Sequence, residues 1–420
     1  MLAFSLIQIS CCNFNLNPAS SAMRLPIQKL FRAGCLAGLL SLFAVSGHAN
    51  EGVKHLSLRN EVDQVIHQTL TQLAQEQTLD GYWATTDFPG MTALILRAFL
   101  ESPVDSARWQ KSDAVAKGIA FLKTYVQEDG GIYNRGLHSY NTSISLMCLN
   151  VYYQVAEAQG LLTEPELAEL KAVMIRAREF VVKQQQFYDE EDLKILSGGI
   201  GYGRSSNHTD LSNTTLAIQA LHETRHLLDT SDEQAVDLNW EAAIQFLTNT
   251  QNLPATNSQE WVSGDAANRG GFVYRPGDSM AGSFEKEDGG TGQRSYGSMS
   301  YAGLMSMIYA GLDKDDERVV AAVEWLKAHF NLDKNPGMGM EGLYYYYTTM
   351  AKALNAYGED QLVLLDGTVV DWPKELAKKL VAEHKHPGFW INENSRWMES
   401  NPLLVSAYSL LALKNVYPKL

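Results

Sequence analysis

The segment with the most explicit chemical spacing is His222-Glu223-Thr224-Arg225-His226. On an unbroken helix, H-E-x-x-H sets two imidazoles on one face for zinc, with a carboxylate beside them as base. Glu241 lies downstream where a third ligand could come from. Arg225, however, adds positive charge next to any bound metal. The segment also closes a helix, where His and Arg favour the negative end. The reading is a charged helix terminus, and neither His222 nor His226 is assigned a metal; no cofactor is expected. His384-Lys385-His386 has no carboxylate or thiolate partner in sequence and reads as surface.

A second pattern is distributed. Arg135, Arg204, Arg275, Arg294 and Arg396 each follow a glycine-bearing corner. If those corners share one end of the molecule, the arginines converge there with His138, His208, Tyr140 and Asp210. Such a mouth suits an anionic group. The alternative is pairing of each arginine with a nearby acid such as Asp129, Asp278 or Glu285. The aromatics Trp83, Trp390, Trp397 and Tyr344 to Tyr347 either line an apolar cavity or pack between helices. Four consecutive helical tyrosines point in four directions, so at most two face a centre. The expected ligand-binding set is Arg135, His138, Tyr140, Arg204, His208, Arg294, Tyr344 and Trp390.

These residues need a scaffold, and composition limits the choice. The chain has 420 residues, 45% of them hydrophobic and 20% charged, the balance of a globular protein with a sizeable core. A formal charge of −14 disfavours nucleic acid as a partner. Arg24, Lys29 and Arg32, an apolar run from Cys35 to Val45 and Gly47-His48-Ala49 form a secretory leader cut after Ala49, with Met23 as an alternative start. The apolar run is too short to span a bilayer. A secreted or periplasmic mature chain follows, carrying −17 and keeping Cys148 alone of four cysteines. It can form no internal disulfide and no thiolate metal cluster.

One unit recurs six times: an amphipathic helix, a glycine corner, an aromatic, then a small and apolar helix. The corners are Gly81, Gly130-Gly131, Gly198-Gly199, Gly270-Gly271, Gly337 and Gly388, and the second helices start near Thr92, Thr142, Thr214, Ser298, Thr348 and Leu404. Glycine permits the left-handed backbone where a helix stops. Helices apolar all round, such as Thr214 to Leu221, belong inside other helices. Two alternating classes predict an all-α fold, an α/α toroid (an α6-α6 barrel) of six helical hairpins over residues 55–420. The stretches 252–268 and 278–292 read as irregular loops able to cover one mouth.

The helix–Gln-x-x-Gly–aromatic corner, as at Leu122 to Gly131 and Phe246 to Gln251, resembles the repeat of squalene cyclases and protein prenyltransferases. The segments Gly198–Leu221 and Gly342–Leu354 are similar too, and the resemblance spans roughly residues 60–417. It implies a toroid that holds an isoprenoid. In the cyclases an Asp-x-Asp-Asp acid protonates an alkene or epoxide, and aromatic faces stabilise the cations that follow. The matching stretch here is Asp210-Leu211-Ser212-Asn213, with only the first aspartate present. Asp210 is the remaining candidate acid, although an Asp opening a helix also serves as an N-cap. The prenyltransferase zinc positions match Tyr296-Gly297-Ser298, which cannot ligate zinc. Three functions stay open. The chain is a cyclase-like holder of an isoprenoid or another apolar or anionic small molecule, a peptide- or protein-binding toroid without catalysis, or a polysaccharide-lyase-like enzyme. They predict, in turn, a closed aromatic pocket, a flat mouth over a filled centre, and a wide charged groove.

Overall fold

A computed structural model of the chain describes residues 54–203, 208–228, 235–385 and 388–420. The expected leader and Arg204 lie outside the described residues. Thirteen helices are described: α1 (Leu56–Gln75), α2 (Pro89–Leu100), α3 (Ser106–Gln110), α4 (Asp113–Lys123), α5 (His138–Gln159), α6 (Glu164–Val182), α7 (Leu211–Glu223), α8 (Trp240–Asn249), α9 (Gly297–Tyr309), α10 (Glu317–Ala328), α11 (Leu343–Tyr357), α12 (Trp372–Glu383) and α13 (Pro402–Val416). Two short antiparallel hairpins interrupt them. Strands β1 (Ser283–Glu285) and β2 (Thr291–Gln293) give order to part of the stretch read as irregular, and β3 (Gln361–Val363) pairs with β4 (Val369–Asp371).

Helices α2, α5, α7, α9, α11 and α13 pack side by side in that order, and α13 returns to α2. This closes an inner ring. The outer helices lie on it, α4 on α2, α6 on α5 and α7, α8 and α10 on α9, α12 on α13, and α1 on α12 and α13. The fold is the all-α toroid of six hairpins, with α3 as a short extra turn. The two classes differ as their sequences require: every residue of α2 is buried, whereas α12 buries only one stripe.

The corners have one repeated construction. Gly81, Gly130, Gly198, Gly270, Gly337 and Gly388 all have φ between +82° and +111°. At the first four, an added Cβ would come within 2.0–2.6 Å of a carbonyl oxygen on the next outer helix, at Lys117, Arg176, Ala242 and Ala321. Only glycine fits there. A glutamine then ties the corner to its neighbour. Gln251 Nε2 donates to Gly270 O (2.9 Å) and Arg318 O (2.8 Å), and Gln185 Nε2 to Gly198 O and Asn239 O. Gln77 does the same with Gly81 O and Ala114 O.

A hydroxyl three residues or so into the inner helix accepts the backbone N–H that follows the corner. The pairs are Trp83 with Thr92, Ile132 with Thr142, Ile200 with Thr214, Phe272 with Ser300, and Trp390 with Ser406. Ser300 and Ser406, not Ser298 and Leu404, therefore hold the repeat position. The fifth repeat departs: Thr348 donates instead to Tyr344 O and Tyr408 O.

Every corner joins the C-terminus of an outer helix to the N-terminus of an inner one, so all six lie at one end of the ring. The opposite end is plugged by charge. Arg97 on α2 pairs with Glu101 (2.5 Å) and reaches across the ring to Glu223 on α7 (3.4 Å). Lys414 on α13 closes on Glu101 (2.7 Å), and Lys352 on α11 donates to Gln219 on α7. Burial would raise the Glu101 carboxyl, but Arg97 and Lys414 outweigh it and hold it at about 2.

Candidate functional site

Between the plug and the corner end lies a cavity of about 440 Å³. Its wall comes from the N-terminal turns of the inner helices. Met91 and Leu94 of α2, Tyr140 and Ile144 of α5, Ser212 of α7, Met299 of α9, Tyr345 of α11 and Leu404 and Tyr408 of α13 all face it. Loops add Phe88, Tyr202, Tyr274, Met280, Tyr296, Trp397, Met398 and Glu399. The size falls in the range of small-molecule sites, and apolar and aromatic side chains dominate the wall. Among the described residues, no lysine, arginine or histidine lines it, and Glu399 is the only carboxyl that does.

Two polar features interrupt the apolar wall. At one side the hydroxyls of Tyr140 and Tyr345 both reach Ser212. Burial pushes the Tyr140 phenol well up, and its phenolic neighbours Tyr408 and Tyr345 add to the shift. At the other side Glu399, 1% exposed, accepts from Tyr345 N (2.8 Å), Tyr344 N (3.2 Å) and Asn392 Nδ2 (2.7 Å). It thus caps the first turn of α11. Burial raises its carboxyl, and these donors pull the other way.

The approach to Glu399 is strained. Trp397 and Met398 have φ of +53° and +64°, a left-handed backbone that costs about 1–3 kcal/mol for each bulky residue. Both are partly exposed at the cavity's rim, where apolar side chains would otherwise be covered.

The residues expected to bind a ligand separate sharply. Tyr140 lines the cavity. His208 and Asp210 come together beside it: Arg275 Nη1 donates to His208 Nδ1 (3.1 Å), which leaves the proton on Nε2, facing Asp210 Oδ2 (3.2 Å) and Tyr274 OH (3.3 Å). The Tyr202 and Tyr274 hydroxyls bond each other at 2.9 Å. Asp210 itself is fully buried and caps α7, accepting from Asn213 N (2.9 Å) and Asn213 Nδ2 (2.8 Å).

The remaining members are elsewhere. Arg135 is exposed and sits 3.7 Å from Asp87, and His138 stacks on Tyr133. Arg294 lies over the Phe284 ring. Arg275 pairs with Asp278, and Arg396 with Glu341. Three of the four described arginines are therefore neutralised by a neighbouring acid. Trp390 is buried, with its indole N–H on Leu380 O, and Tyr344 packs edge-on against Tyr347. Tyr345 alone of the four tyrosines faces the cavity.

The H-E-x-x-H segment does not form one helical face. Helix α7 stops at Glu223, and Arg225–Leu227 form a separate turn. His222 stacks on Tyr309 at 4.3 Å, His226 is exposed, and Glu223 turns toward Arg97. Among the described residues, no helix is long and apolar enough to cross a membrane.

Glu399, Met398, Tyr296 and Tyr408 were not singled out as binding residues by sequence, whereas Trp397 and Tyr345 stood among the aromatics read as lining a cavity or packing between helices. The signal available for Glu399 was an acid just before the proline that opens the last inner helix. Its target, however, is the first turn of α11, more than fifty residues away.

No known family profile matches the sequence, and no curated protein matches it. Among solved structures it is similar to the apo type II terpene cyclase MstE from Scytonema, with 13% identity, 86% of this chain and 99% of the cyclase covered, and a TM-score of 0.50. It is also similar to an inactive variant of an α-1,6-mannanase from Salegentibacter, in which two aspartates are asparagine, in complex with α-1,6-mannotriose (10% identity, 85% and 99% covered, TM-score 0.51). A family 76 glycoside hydrolase (mannosidase) from Bacteroides thetaiotaomicron matches at 15% identity over 84% of this chain and 98% of its own, with a TM-score of 0.50. At such identities the likeness defines the fold. The chain is an α/α toroid of the architecture that terpene cyclases and family 76 glycoside hydrolases share.

Proposed function

We propose that the chain is an exported, cyclase-like toroid that holds an isoprenoid or other apolar molecule in the cavity at the corner end of the ring. The observation that carries the reading is the wall: among the described residues, eight aromatic and four methionine side chains against a single carboxyl and no base. Aromatic surface and adaptable methionine suit a flexible apolar ligand. The glycosidase alternative needs two carboxyl groups flanking the scissile bond, and the wall offers one. The lyase alternative calls for an open charged groove. Any cyclisation is assigned to Asp210 acting through His208, whose Nε2 proton lies between the Asp210 carboxylate and Tyr274 at the wall.

The test is a titration of the purified protein with farnesol, followed by tryptophan fluorescence, alongside native mass spectrometry of protein taken from its own envelope. Saturable binding that Leu94→Trp removes, or a co-purifying lipid, supports the reading. A bare chain that ignores farnesol but binds mannotriose overturns it in favour of the carbohydrate alternative. Export is checked by N-terminal sequencing of the secreted form, expected to begin at Asn50.

A further inference from the structure

Glu399 has a property that an apolar ligand alone does not use. Its carboxylate is buried and accepts three N–H bonds, yet no lysine, arginine or histidine forms an ion pair with it among the described residues. The nearest base in sequence, Arg396, is engaged with Glu341 and lies over Trp397. The N–H donors and the first turn of α11 solvate the charge without cancelling it. The Leu343 backbone adds a fourth donor, and none of these donors carries a positive charge. Burial and the neighbouring Glu399 both push the Tyr408 phenol up, so that wall stays neutral and adds no charge of its own. Among the described residues, an unpaired carboxylate therefore faces a hollow lined by aromatic rings, whose faces also attract cations.

We propose that the cavity selects an apolar molecule bearing a permanent positive charge, an organic ammonium whose head sits at Glu399 and whose tail fills the hollow. This rests on the apolar-ligand reading above and adds the head group to it. Buried charge without a counterion costs several kcal/mol when desolvated, and a cationic ligand supplies the missing partner. Anionic amphiphiles meet the opposite field.

The experiment compares three probes of one chain length by calorimetry at pH 7: decyltrimethylammonium, 1-decanol and decanoate. The expected order is the ammonium at least tenfold tighter than the alcohol, with decanoate weakest. In Glu399→Gln the ammonium should fall to the level of the alcohol while the alcohol keeps its affinity. Because that substitution also perturbs the cap of α11, the order in the unaltered protein decides if the variant does not fold. Leu94→Trp, which fills the hollow, should remove ammonium binding. Ammonium binding that survives it belongs to the acidic surface and overturns the proposal. Decanol binding with no preference for the ammonium overturns this inference and leaves the apolar-ligand reading standing; no binding by any probe overturns both.

Discussion

Asp210 and Glu399 are two buried carboxylates in opposite situations. Asp210 is held by Asn213 and faces His208, behind the wall; Glu399 opens onto the cavity. Asparagine is as good an N-cap as aspartate, but in Asp210→Asn the amide would meet the Asn213 and His208 donors. A loss of about 1–2 kcal/mol is expected from the urea midpoint, with farnesol binding unchanged and any cyclase turnover abolished. Retained turnover would remove Asp210 as the acid. The sequence made Asp210 visible because a motif pointed to it. Glu399 was hidden because its meaning lies in a contact between the loop before α13 and the start of α11, which no local pattern encodes. The arginines misled for a related reason: their shared end of the ring was legible, but pairs such as Arg135 with Asp87 and Arg396 with Glu341 depend on side-chain placement.

At the scale of elements, the glycine corner carries the architecture, and its parts can be ranked. Gly198 has φ of +87° and no room for a Cβ, which would lie 2.0 Å from Ala242 O. Gly160, at the C-terminus of α5, has φ of +61° with open space around it. Gly160→Ala is expected to cost about 1 kcal/mol, the ordinary left-handed penalty. Gly198→Ala must also displace α8 and should lose the cooperative thermal transition. Equal effects would mean that the corner tolerates a shift of the outer helix. The glutamine clamp gives a second gradient. Gln251 is fully buried, and Gln251→Ala strands two carbonyls for about 2–4 kcal/mol, whereas the part-exposed Gln185 loses less because water can reach its partners. Denaturant midpoints of the two variants check the order. This layer was the most legible in sequence, since glycine, glutamine and hydroxyl positions recur with the repeat. The fifth corner, where Thr348 bonds elsewhere, shows that the hydroxyl can be lost when helix packing replaces it.

Across the whole molecule, the ring is open at one end and closed by charge at the other, and the closure makes stability depend on pH. Glu101 titrates at about 2 in the fold against 4.5 unfolded, so its contribution is present above pH 4.5 and fades as the pH falls toward 2. Acid unfolding should therefore set in over that window, and Glu101→Gln should lose stability already at neutral pH. The plug is not balanced, however. Among the described residues, Arg97, Lys352 and Lys414 face Glu101 and Glu223, which leaves one cation in excess. Lys352 is the one without a carboxylate in contact, and burial followed by repulsion from Arg97 lowers its ammonium to about 8. A depressed lysine costs stability fully below pH 8, and the cost vanishes as the pH rises toward 10.5, where the unfolded chain also loses its proton. Lys352→Met keeps the volume of the stem and leaves two cations against two anions. It should raise the urea-derived stability by about 1–3 kcal/mol at pH 7, with the advantage shrinking between pH 8 and 10.5. A variant less stable than the parent at pH 7 would mean that the third cation is needed to hold Glu223 and Gln219 in place across the ring.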